Sequence, residues 1–297
     1  MTSYRASLIR SLLPLQRVAQ GFATIPSVRR MSRWTERLYS VPRDVQLVTV
    51  PRGCLTYEWL IPQSIAPRQV LFHVHGGGFV FPLYNPSRYT TAYLAREART
   101  RALLVDYRLA PEHPFPAALL DCVAAYRWLT REAGYQPEDI VLTGESAGGN
   151  LVVTTLLALR EAGDPLPAGA VAICPALDFE GRGTFYHQND VMSHPRFAML
   201  HLNAYRGTAD PRDPLLSPLY ADLRDLPPML IQVGGDEVFR WGAEALHARA
   251  TQQGVRATLR VWPGMWHFWH MYAPWLPEAR GAMKEIADFV NLCWAEH

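Results

Sequence analysis

The sequence predicts an α/β fold, a mixed but mostly parallel eight-stranded sheet with helices on both faces. Three observations carry this. Short apolar runs alternate with helix-length segments along most of the 297 residues. The first two runs are separated only by Pro51-Arg52-Gly53, which suits a hairpin, while the later ones are far enough apart to imply right-handed parallel crossovers. With 49% hydrophobic and 19% charged residues, the chain is long enough to bury a sizeable core.

In chain order, Val45–Val50 and Leu55–Ile61 form the expected hairpin. Val70–His75, Ala102–Tyr107, Ile140–Thr143, Ala170–Cys174, Met229–Val233 and Ala257–Trp262 are the expected remaining strands. Ser87–Arg99, Ala117–Ala133, Ala147–Glu161, Trp241–Gln253 and Ala279–Trp294 are the helices between and after them. Two parts fall outside the alternation. Residues 1–40 form one, and the other is Asp178–Pro228, too long for an ordinary structureless loop. Both are expected to be helical pieces of a cap above the sheet's C-terminal edge. The domain plan is therefore an N-terminal cap segment at 1–40 and a main domain at 41–297, interrupted by a cap insertion at about 178–228.

The N-terminus carries Arg5, Arg10, Arg17, Arg29, Arg30 and Arg33 before the first acid, Glu36. That composition also fits a mitochondrial transit peptide. We read it as an amphipathic surface helix, with an apolar face from Leu8, Ile9, Leu12, Leu13 and Leu15–Val18 and arginines on the other side. No apolar run approaches the roughly 18 residues of a membrane span, so no integral membrane association is expected. With 29 Lys+Arg against 27 Asp+Glu and no basic run beyond the N-terminus, a nucleic-acid partner is disfavoured. Cys54, Cys122, Cys174 and Cys293 form no C-x-x-C pair, and a reducing, cytoplasmic setting is the default.

The chemistry-bearing motifs begin with Gly144-Glu145-Ser146-Ala147-Gly148, between a strand and a helix. That is the context of a nucleophile elbow, where glycines relieve a tight turn and hold the serine at a helix N-terminus. The free N–H of Ala147 there favours a developing oxyanion. His75-Gly76-Gly77-Gly78-Phe79 ends the third strand and exposes backbone N–H groups of Gly76, Gly77 and Gly78, which suits the rest of an oxyanion hole. His73 and His75 share a strand face but lack a third ligand at a useful spacing, so no metal is expected; His75 is expected to organise the glycine loop.

These motifs, with Asp106-Tyr107-Arg108-Leu109-Ala110-Pro111-Glu112-His113, resemble the hormone-sensitive-lipase family of α/β-hydrolase esterases. The resemblance continues through Asp210–Leu219 to Pro263-Gly264-Met265-Trp266-His267-Phe268, covering about residues 68–290 in the family's order. Residues 1–40 and Phe179–Ala209 carry no motif of it. It implies an eight-stranded α/β-hydrolase fold with a helical cap, a Ser…Asp…His triad, and short to medium acyl chains. Asp236, after the apolar run Met229–Val233 and Gly234-Gly235, falls where the family carries its acid. The family's D-P-L is here Asp236-Glu237-Val238, and Glu237 is the alternative. His267, on the loop after the last strand, falls on the family's histidine. Glu145 replaces the usual Asp or Thr without an expected effect on chemistry, and the Asp106–Glu112 block is expected to brace the loops.

The resulting expectation is a serine carboxylesterase. Ser146 would be the nucleophile, His267 the general base and Asp236 its orienter, with no metal or organic cofactor. Phe79, Phe81, Tyr84, Phe185, Tyr186, Tyr205, Trp266, Phe268 and Trp269 favour a small uncharged ester as substrate. An amidase or arylformamidase with the same triad is the alternative, followed by a non-catalytic receptor on this fold. Oligomeric state, monomer or homo-oligomer, is not legible in the sequence.

Overall fold

Eight strands form one sheet in the order β1-β2-β4-β3-β5-β6-β7-β8. The computed structural model describes residues 2–35, 39–66, 68–183 and 190–296. The strands are β1 (Val45–Arg52), β2 (Leu55–Pro62), β3 (Val70–Val74), β4 (Arg101–Asp106), β5 (Ile140–Glu145), β6 (Gly169–Ile173), β7 (Met229–Gly234) and β8 (Ala257–Trp262). The helices are α1 (Tyr4–Gln20), α2 (Ile25–Thr35), α3 (Asn85–Glu97), α4 (Ala117–Arg131), α5 (Ala147–Glu161), α6 (Pro195–Arg206), α7 (Arg240–Gln252) and α8 (Pro277–Ala295).

Strands β1, β2 and β4 pair antiparallel, and every other pairing is parallel. The hairpin is tighter than expected, because Arg52 pairs with Leu55 and leaves only Gly53-Cys54 in the turn. Central strands β3, β5, β6 and β7 are buried throughout, which is why they read as continuous apolar runs rather than alternating ones. Their side chains still divide by face. Val70, Phe72 and Val74 of β3 join the core under α4, α5 and α7, while Leu71 joins the core under α3 and α8.

The strand order positions the site. From β3 the chain crosses to β4 on one side, then returns past β3 to β5 on the other. A crevice opens at the carboxyl ends of strands where such an order reverses, and the β3 and β5 loops both empty into it.

Helix α1 departs from expectation in its orientation. An amphipathic surface helix ordinarily turns its apolar stripe to the core. Here the stripe facing the protein is Ala6, Arg10, Leu13, Arg17 and Gln20, with Ala6, Leu13 and Gln20 buried. Leu8, Leu12, Leu15 and Val18 face outward. The inward polar groups find partners: Arg10 pairs with Asp236, Arg17 donates to the Asp190 carbonyl, and Gln20 accepts from the His194 N–H.

Candidate active site

Ser146 sits between β5 and α5 at φ 58° and ψ −115°, a conformation that costs strain in a non-glycine residue. The neighbouring glycines permit it. A Cβ on Gly148 would lie 1.9 Å from the Val74 carbonyl oxygen, and one on Gly144 would lie 2.6 Å from the Gly148 oxygen. Both obstacles are backbone, so neither position accepts a side chain.

The His267 Nε2 lies 3.0 Å from Ser146 Oγ. Its Nδ1 lies 2.6 Å from Glu237 Oε2, not from Asp236. The other Glu237 oxygen accepts the Gly234 N–H at 3.1 Å, and this carboxylate is fully buried. The expectation for Asp236 is therefore corrected: its carboxylate points away to Arg10, whose guanidinium also donates to the Gly264 carbonyl at 3.0 Å. Residues 236 and 237 lie in the turn that follows β7, where their side chains take different directions and Glu237 meets the histidine. Burial lowers the His267 pKa, but the hydrogen bond and charge of Glu237 outweigh it and the net shift is upward. The ring is held edge-on by Phe239 at 5.2 Å.

The glycine loop is also corrected at one position. Gly76 donates its N–H to Glu145 Oε1 at 2.8 Å and has none to offer a ligand. Gly77 and Gly78 face the crevice, and no acceptor for their N–H groups or that of Ala147 occurs among the described residues. Glu145, expected to be neutral to the chemistry, is thus part of the loop's scaffold. Its second oxygen takes His73 Nε2 at 2.7 Å, and His73 Nδ1 meets Thr143 Oγ1 at 2.8 Å. His75 stacks on Tyr107 at 4.2 Å and bonds the Gly76 carbonyl at 2.8 Å, in keeping with its expected organising role. The Asp106–Glu112 block braces its surroundings as expected: Asp106 accepts the Leu83 N–H, Tyr107 donates to the His75 carbonyl, and Glu112 pairs with Arg29.

A cavity of about 430 Å³ opens onto Ser146 and His267. Of the aromatics expected around it, Phe81, Tyr84 and Phe268 line it. Phe79 and Tyr205 instead stack in the core at 3.8 Å, Trp266 and Trp269 are buried beneath α8, and Phe185 and Tyr186 lie outside the described residues. The sequence reading missed Tyr39, Phe197, Phe239 and Tyr272, whose only common signal is tertiary position. It also missed His201, wedged between Phe81 and Phe197 and held neutral by burial, with a pKa of about 4. Asp190 escaped notice too. Its side chain accepts the Val238 N–H at 2.9 Å and those of Met192 and Ser193 at 2.7 Å, tying the excursion after β6 to the Glu237 loop.

Among the described residues, Cys174, Glu237 and His267 bring three metal-competent atoms within 4.8 Å of one another. The His267 nitrogen in this group is already hydrogen-bonded to Glu237, and burial beside that carboxylate pushes the Cys174 thiol far up.

Residues 71–271 match the model of the α/β-hydrolase fold family. The chain is 37% identical to an acetyl-hydrolase of Streptomyces hygroscopicus over 100% of its own length and 99% of that protein's. A solved esterase of the bacterial hormone-sensitive lipase family superposes with a TM-score of 0.91 at 39% identity, covering 98% of both chains. The chain belongs to the hormone-sensitive-lipase-like α/β hydrolases. The chain is also 37% identical to the esterase LipU of Mycobacterium tuberculosis, over 75% of this chain and 78% of that one. The α/β-hydrolase core spans the sheet and its flanking helices, and α1 and α6 contribute Gln16, Gln20, Phe197, Ala198, His201 and Leu202 to the cavity wall.

Proposed function

We propose that this carboxylic ester hydrolase is a serine carboxylesterase working through an acyl-enzyme. The observation that carries the reading is the unbroken hydrogen-bonded line Ser146–His267–Glu237, at 3.0 and 2.6 Å. Glu237 holds His267 with its proton on Nδ1, leaving Nε2 to take the proton of Ser146. Ser146 Oγ attacks the ester carbonyl, and the N–H groups of Gly77, Gly78 and Ala147 receive the oxyanion. His267 then protonates the leaving alcohol. Water, deprotonated by the same nitrogen, releases the acid and restores Ser146.

The cavity's volume, about 430 Å³, and its lining by Phe81, Phe197, Leu202, Val238 and Met271 favour an uncharged ester with a short to medium acyl chain. In this reading residues 1–40 and 178–228 act as the cap over the site. No feature of the site prefers an amide to an ester, and an intact histidine–serine pair disfavours a receptor.

The test is hydrolysis of p-nitrophenyl esters from acetate to palmitate by the wild type and Ser146→Ala in parallel. The expected result is a maximum at short or medium chains and no turnover by the variant. Activity surviving in Ser146→Ala, or a maximum at palmitate, overturns the mechanism or the chain-length reading respectively.

A further inference from the structure

The outward face of α1 is apolar where a helix on a protein surface is ordinarily polar. Tyr4, Leu8, Leu12, Leu15 and Val18 recur at helical spacing on one side, and Phe22 follows the helix end; each is 55–83% exposed. The polar side of the helix is engaged by the protein through Arg10, Arg17 and Gln20. The apolar stripe is therefore not a fold requirement. Six exposed apolar side chains in a row mark an interaction surface.

We propose that α1 docks the enzyme on the surface of a phospholipid bilayer carrying anionic headgroups. Three features select this occupant. The first is charge: residues 2–35 contain Arg5, Arg10, Arg17, Arg29, Arg30 and Arg33 and no acid, and Arg5 and Arg30 are exposed. Arg10, Arg17 and Arg29 are engaged by the protein, so the exposed charge beside the apolar stripe is that of Arg5 and Arg30, with no acid to oppose it, which suits an anionic lipid interface. The same charge opposes a second copy as occupant, because a two-fold pairing of α1 would bring two acid-free segments together. The second is the neighbourhood: Arg5 donates to the carbonyl of Trp275 at 2.8 Å, and Trp275 is itself about half exposed, the residue type that settles at headgroup depth. The third is location: α1 supplies Gln16 and Gln20 to the wall of the cavity above Ser146, so docking brings that cavity close to the lipid phase.

No helix among the described residues is long and apolar enough to cross a membrane, and docking requires none to do so. The association is peripheral, with Leu8, Leu12 and Leu15 entering the acyl boundary and the exposed Arg5 and Arg30 available to the headgroups. It does not depend on the proposed mechanism, and its readout is separate from hydrolysis.

The experiment is flotation of the full chain with vesicles of phosphatidylcholine alone and of phosphatidylcholine mixed with phosphatidylglycerol, at low and high salt. The wild type is expected to float with the mixed vesicles, less with phosphatidylcholine, and less again at high salt. The triple variant Leu8→Ser, Leu12→Ser, Leu15→Ser should lose at least about tenfold in partitioning, since binding scales with buried apolar area. None of these three lines the cavity, so its turnover of p-nitrophenyl acetate and its circular dichroism should match the wild type. No flotation with either vesicle overturns the proposal, as does equal flotation of wild type and triple variant. A wild-type dimer that the triple variant converts to monomer, without vesicle binding, overturns it in favour of a second copy.

Discussion

Glu237 and Asp236 are adjacent acids, and substituting each by its amide separates their roles sharply. In Glu237→Gln the side chain keeps its shape. Its oxygen continues to accept the Gly234 N–H that Oε1 now takes at 3.1 Å, which turns the new NH₂ toward His267 Nδ1 at the position of the present 2.6 Å contact. An NH₂ there can only donate. Nδ1 must become the acceptor, the ring proton moves to Nε2, and Nε2 can no longer take the proton of Ser146. Forcing the wrong tautomer in a serine hydrolase costs about 10⁴-fold in kcat, which corresponds to roughly 5 kcal/mol of barrier. Asp236→Asn breaks only the pair with Arg10, whose side chains are 26% and 35% exposed. Such pairs contribute about 0–1 kcal/mol, so a loss below about fivefold is expected. Steady-state kcat and kcat/KM on p-nitrophenyl butyrate, with an active-site titration to count folded enzyme, measure both. Near-equal losses, or a larger loss for Asp236→Asn, would refute the assignment of Glu237.

Four further outcomes follow from the same geometry. Glu237 raises the His267 pKa, so the imidazolium persists to higher pH and the acid limb of kcat/KM should lie above the ordinary value of about 6.5; in Glu237→Gln the limb should move down, and an unmoved limb in a pH-rate profile would count against the pairing. Glu145→Ala removes a buried carboxylate and strands the Gly76 N–H and His73 Nε2, at an expected cost of about 3–5 kcal/mol in urea unfolding; a change below about 1 kcal/mol would show that the glycine loop does not need it. Gly148→Ala should fail to fold or lose about 3 kcal/mol or more, because its Cβ would meet backbone at 1.9 Å. Gly242→Ala, whose Cβ would meet its nearest neighbour at an ordinary 3.5 Å, should be neutral or stabilising by thermal melting.

Much of the molecule is written locally. The strands were legible because each central one is buried on both faces, and burial of that kind demands an unbroken apolar run such as Val70–Val74. Ser146 was legible because the elbow's glycines answer to clashes within a few residues of chain and with the adjoining strand. His267 was legible because the chain order of strand and loop brings it to the same sheet edge.

Other features depend on which groups the fold brings within a few ångströms. The sequence favours Asp236 and offers Glu237 only as the alternative, yet the choice rests on side-chain direction in the turn after β7, with Arg10, 226 residues away in the chain, claiming Asp236. Gly76 belongs to the same glycine run as Gly77 and Gly78, yet Glu145 on the neighbouring strand occupies its N–H. The amphipathic pattern of α1 announced a helix with two unlike faces. Which face turned inward was decided by tertiary partners for Arg10, Arg17 and Gln20. Local sterics and burial are readable from neighbouring residues; hydrogen-bond partners distant in the chain exist only once the chain has folded.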